Sequence, residues 1–190
     1  MVETITPAVH GGRTRRYWAS VALHALGTTV SAAAIGLLLG GAGAVLGAPW
    51  GAPGLIALAA VAGLYAAREA LGLPIPLPNL HRQVPEWWRT FFDPPVAALL
   101  YGFGLGVGFL TYLSFGTYVA VAVGAVVSGD PLVGAALCAP FGLARGLSVA
   151  ISQRANAIDG LDDATTTPWP RAINAVALGS VVAATTLGLV

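Results

Sequence analysis

The chain has 190 residues, of which 56% are apolar and only 9% charged, and its mean hydropathy is +0.78. An average soluble domain is roughly one quarter charged, so an ordinary soluble domain is excluded. A formal net charge of +1 excludes a basic nucleic-acid binder and an acidic tail, and a single cysteine excludes an internal disulfide, a CxxC pair and a cysteine-based zinc site.

Taken in chain order, the first uncharged run is Trp18–Pro49, which holds one histidine, His24. Arg13, Arg15 and Arg16 precede it. The Arg15-Arg16 pair looks like a twin-arginine export signal. The apolar run behind it is about 30 residues long, well beyond the roughly 7–15 of a cleavable leader, so it reads as a retained first span. Small residues recur at every fourth position, Thr28, Ala32, Gly36, Gly40 and Ala44, a face that lets helices approach closely. The second run, Leu55–Pro74, carries Arg68 and Glu69 near its end. Leu73–Asn79 then alternates proline with other residues, which blocks helix and favours extended chain. After Pro85, a helix over about 85–93 would place Trp87, Trp88, Phe91 and Phe92 on one face, as a short interfacial helix that anchors in lipid or docks a partner.

The third run, Pro94–Gly129, has no charge at all. As one helix over Val96–Gly129 it would be about 50 Å long, against a hydrocarbon core of about 30 Å. Gly102, Gly104, Gly106 and Gly108 crowd its first half and Gly116 its middle. Two geometries fit: a long tilted helix with smooth glycine faces, or a break within the membrane, where a binding site would reach Tyr112, Ser114 and Thr117. The fourth run, Pro131–Ile151, has Arg145 as its one charge and Cys138 as a small packing residue. The fifth, Ala172–Val190, is uncharged.

A membrane-crossing helix needs about 20 mostly apolar residues. The expected fold class is therefore all-α: a polytopic membrane helix bundle and a single integral membrane domain over 1–190. Its five transmembrane helices lie at about 18–48, 55–73, 96–129, 131–151 and 172–190. The runs do not alternate polar and apolar residues as barrel strands would. Arginine falls on alternate connections: before the first span, between the second and third (Arg82, Arg89), and around the loop between the fourth and fifth (Arg154, Arg171). The positive-inside rule then gives N-in/C-out. The expected location is the cell (inner) membrane, with the lipid bilayer as partner, a protein partner or second copy on the small-residue faces, and no nucleic acid.

Ionisable groups inside spans mark candidate sites. His24, Arg68 and Arg145 each lie about 9–10 Å inside the cytoplasmic boundary by helical rise. With Glu69 they are a candidate polar pocket for an anion or proton, with snorkelling or interhelical pairing as the structural alternative. Arg68 and Glu69 are adjacent and point about 100° apart on a helix, so the expected pair is Glu69 with Arg145. No cofactor or metal is expected: a bis-histidine haem needs a second intramembrane histidine, and His10 and His81 lie outside the spans. Walker, GxSxG and HExxH motifs are absent, and the chain is expected not to be an enzyme.

Tyr101-Gly102-Phe103-Gly104-Leu105-Gly106, then Gly124-Ala125-Val126-Val127, then Gly134–Leu137 and Phe141–Leu147, together resemble the CcdA/DsbD-type transmembrane domain of cytochrome c biogenesis. That resemblance implies a first span missing from this chain. It also implies transmembrane thiol electron transfer, from which this sequence departs: Leu110–Phe115 holds no cysteine and Cys138 lies in the following helix. Three functions are open on the sequence: a carrier-like protein that binds or moves a small anionic solute, a non-catalytic membrane subunit or scaffold, and thiol electron transfer.

Overall fold

The computed structural model describes residues 14–78, 87–108, 115–159 and 169–188. Among these residues the chain is all helical: α1 Thr14–Val45, α2 Ala52–Leu71, the single turn α3 Trp88–Phe91, α4 Pro94–Gly106, α5 Thr117–Ser128, α6 Pro131–Asp159 and α7 Trp169–Leu187. Three stretches are long and apolar enough to cross a membrane: Thr14–Val45, Ala52–Leu71 and Pro131–Ser148. Pro94–Gly106, Thr117–Ser128 and Arg171–Leu187 are shorter apolar helices. The run that could be one tilted helix is two helices, α4 and α5. Of the two geometries open for the third of the five expected spans, the structure has the interrupted one, and three helices rather than five are of spanning length. Of the interfacial helix expected over 85–93, the described part is the single turn α3, which ends at Phe91.

Local sequence explains the ends. Gly72 closes α2 and Gly129 closes α5, both left-handed (φ 67° and 60°), a conformation that favours glycine. Asp130 caps α6, its Oδ1 accepting the N–H groups of Leu132 (2.7 Å) and Val133 (3.1 Å), with Pro131 in the first helical position where its missing N–H costs nothing.

The helices group into two compact units. One comprises Met1–Ala33, Leu80–Tyr112 and Ala139–Ala164; the other comprises Ala34–Asn79, Leu113–Cys138 and Thr165–Val190. Within the first unit, glycine sets the packing. A Cβ on Gly102 would run into the carbonyl oxygen of His24, and one on Gly106 into Ser31 and the carbonyl of Thr28. The rising order of these contacts makes α4 run parallel to α1. Gly146 meets Ala25 and Gly142 meets Ala32, so α6 runs antiparallel to α1 here. The hydroxyls on this face are satisfied by their own helix: Thr28 donates to Ala25 O at 2.9 Å and Ser31 to Gly27 O at 2.9 Å.

Within the second unit, Gly36 of α1 lies against Gly134 of α6, and Gly40 against Asp130. Ala62 and Tyr65 of α2, Ala120 of α5 and Leu178 of α7 form a buried core. Gly54 meets Val127 while Gly116 meets Tyr65, so α5 is antiparallel to α2. Gly63 meets Val182 and Gly188 meets Leu55, so α7 is antiparallel to α2 as well. Most of the small-residue stripe of α1 is thus spent inside the chain; Ala44 is exposed.

Candidate functional site

Among the described residues of the second unit, a polar cluster forms where α2 ends. The Gly72 turn and the prolines at 74, 76 and 78 stop the helix, and residues 73–78 form neither helix nor strand, with the Ile75 N–H donating back to Leu73 O at 2.8 Å. This strap is tied back onto α2. Tyr65 Oη donates to Pro76 O at 3.2 Å, and Arg68 Nε donates to Ile75 O at 2.8 Å. Ile75 and Leu77 pack against the core that contains Tyr65. The strap carbonyl fixes the guanidinium, and Nη1 of Arg68 bonds Oε1 of Glu69 in an ion pair.

The Glu69 side chain is only 1% exposed. The same Oε1 accepts the main-chain N–H of Gly116 at 3.2 Å. Gly116 stands immediately before α5, where the first N–H groups of a helix lack partners and the helix dipole favours negative charge. Glu69 therefore caps α5 from α2. Gly116 must be glycine for space, because a Cβ would overlap the Tyr65 ring. One residue on, Thr117 Oγ1 donates to Asn174 Oδ1 at 2.5 Å and joins α5 to α7. The arrangement is a neutralised, hydrogen-bonded node that fixes where α5 begins.

In the first unit, His24 is 2% exposed and its Nδ1 bonds Ala98 O at 3.1 Å. A carbonyl oxygen only accepts, so Nδ1 carries the proton and Nε2 presents a lone pair; among the described residues Nε2 has no partner. Arg145 lies on α6 in the same unit, where its carbonyl accepts from Ser148 Oγ at 2.7 Å.

Of the sequence candidates, Arg68 and Glu69 are brought together with Gly116 and Thr117. The expected Glu69–Arg145 pair gives way to Arg68–Glu69, because the strap turns the long arginine side chain back through the angle that separates neighbours on a helix. His24 and Arg145 belong to the other unit. Gly102 and Gly106 are close-packing positions on α1, Gly104 is half-buried within α4, and Gly108 follows its end with φ 71°. Tyr112 and Ser114 lie outside the described residues. The aromatic quartet splits: Trp88 packs edge-on to Tyr101 at 5.8 Å, while Trp87, Phe91 and Phe92 are exposed. Tyr65 and Asn174 escaped the sequence reading. An asparagine inside an uncharged apolar run was the available signal for the second.

No protein-family model matches the chain, and no solved structure matches it. Curated proteins do. The methylamine utilization protein MauF of Paracoccus versutus is 35% identical over 154 residues, covering 80% of this chain and 56% of that protein. MauF of Paracoccus denitrificans is 32% identical over 80% of this chain and 55% of its own length, and MauF of Methylophilus methylotrophus 34% over 74% and 50%. The chain is similar to the MauF proteins. It spans about half the length of the curated relatives it matches.

This finding corrects the resemblance to the CcdA/DsbD-type domain: glycine-rich spans carried that likeness, and the matched relatives are MauF proteins. It also replaces the carrier, scaffold and thiol-transfer readings, since the relatives are named for methylamine utilization. The node agrees with the loss of the anion-carrier reading. Arg68 is committed to Glu69 and to Ile75 O, so no surplus positive charge is left there to hold an anion.

Proposed function

We propose that this chain is a multi-pass membrane protein serving methylamine utilization, with no catalytic machinery of its own. The observation that carries the reading is its similarity to MauF proteins along 80% of its length. The membrane part is supported by three helices of spanning length and three shorter apolar ones. The proposed topology is five crossings, N-in/C-out, in the cell membrane. The helix directions support it. In the second unit α5 and α7 both run opposite to α2, and in the first unit α4 runs with α1 and α6 against it. The interrupted third crossing is then shared by α4 and α5. The Arg68–Glu69–Gly116 node anchors the start of α5.

The test is a chromosomal deletion in the source organism, grown with methylamine as the sole nitrogen source and, separately, with ammonium. Loss of growth on methylamine alone, restored by the gene supplied in trans, is the expected result. Equal growth of mutant and parent on methylamine would refute the reading.

A further inference from the structure

The turn α3 leaves three large rings outside the core of its unit. Phe91 is 77% exposed, Trp87 54% and Phe92 40%. They are not independent surface residues. Trp87 meets Phe91 edge-on with centroids 5.7 Å apart, and Phe92 at 6.5 Å, so the rings form one preset cluster with little rotamer freedom left to lose. Trp88 faces the other way, edge-on to Tyr101 of α4 and packed against Ala97. This contact fixes how the turn is rotated. The chain between the turn and α4 has no slack: Phe92 is extended, Asp93 O accepts the N–H of Ala97 at 2.9 Å, and Pro94 opens the helix. The exposed rings therefore sit at the very start of an apolar helix.

Two physical limits decide what covers them. A single turn satisfies few of its own backbone groups: among the described residues, Thr90 and Phe91 donate to Trp87 O, and Phe92 to Trp88 O. The remaining groups need polar partners, so the turn cannot sink into hydrocarbon. Three large aromatic rings cannot favourably stay in water either. The zone that meets both demands is the layer of lipid headgroups and ester carbonyls, where tryptophan rings concentrate. We propose that Trp87, Phe91 and Phe92 form a lipid-headgroup anchor that holds the start of α4 at the membrane surface. This rests on the membrane reading above and adds to it the depth and contact surface of one element.

The test uses the full chain with Thr90→Cys, an exposed position on the same turn that leaves all three rings in place, carrying a nitroxide label. The parent chain, whose one native cysteine, Cys138, is buried, serves as the labelling blank. In phosphatidylcholine–phosphatidylglycerol vesicles, power saturation compares collisions with oxygen and with a water-soluble nickel complex. The anchor requires oxygen to dominate, at a depth between the phosphates and the upper acyl chain. A label equally open to the nickel complex as one in water overturns the anchor. So does a label in native membranes shielded from both reagents, because a protein then covers the rings. Alkaline washing separates the two levels of the argument. Release of the chain from vesicles overturns the membrane reading and the anchor together, whereas a retained chain with an aqueous label overturns the anchor alone.

Discussion

Glu69 Oε1 accepts the main-chain N–H of Gly116 at 3.2 Å, joining positions 47 residues apart. A carboxylate on one helix thereby sets the first residue of another. The carboxylate is tolerable in so buried a place because Arg68 neutralises it, and Arg68 is held for that role by the carbonyl of Ile75. The start of α5 is thus a built feature: Gly116 makes room for the Tyr65 ring and the node secures it.

Removing the carboxylate should cost more than a surface ion pair would. Breaking a buried pair costs about 3–5 kcal/mol, and Arg68 is partly open to its surroundings, so Glu69→Ala should destabilise by about 2–3 kcal/mol. Glu69→Gln keeps an acceptor for Gly116 and should cost less, about 1–2 kcal/mol. Thermal unfolding of the detergent-solubilised chain measures both.

Glycines that look alike in sequence should respond in opposite ways. Gly102→Ala pushes a methyl into the carbonyl of His24 and should destabilise by about 1–3 kcal/mol. Gly179→Ala meets nothing within 4 Å on α7 and should stabilise by about 0.5–1 kcal/mol through helix propensity. The same unfolding assay ranks them.

The coarse fold was legible because it rests on long-range composition. Runs without charge fix where helices run, and the prolines at 74, 76 and 78 fix where one must stop. The break between Gly106 and Thr117 was visible only as an excess of length and glycine, which a tilted helix would satisfy equally well. The Arg68–Glu69 pair was read away from the truth because helical spacing describes Cβ directions. It says nothing of a long side chain drawn back by a carbonyl seven residues on. The Gly116 partnership could not be read at all, since a backbone N–H carries no sequence signal.

The Thr117–Asn174 bond should behave as a coupled pair. Thr117→Val and Asn174→Ala are each expected to destabilise. The double variant should fall short of their sum by about 0.5–2 kcal/mol. Strict additivity in a double-mutant cycle would show that the two side chains act separately.

The proposed topology fixes where reporters work. A fusion after Val190 should be active only on the outer face of the membrane, and one before Met1 only in the cytosol. A cytosolic signal from the C-terminal fusion would mean an even number of crossings.

The most direct measurement joins the node to the biology. In the deletion strain, growth on methylamine is compared with the gene supplied as wild type, Glu69→Gln or Glu69→Ala, with immunoblots checking equal amounts in the membrane. Wild type should restore growth, Glu69→Gln should restore it in part, and Glu69→Ala should leave it severely impaired. Full growth on Glu69→Ala at normal membrane abundance would show that the buried cap is dispensable and that the functional centre lies elsewhere in the chain.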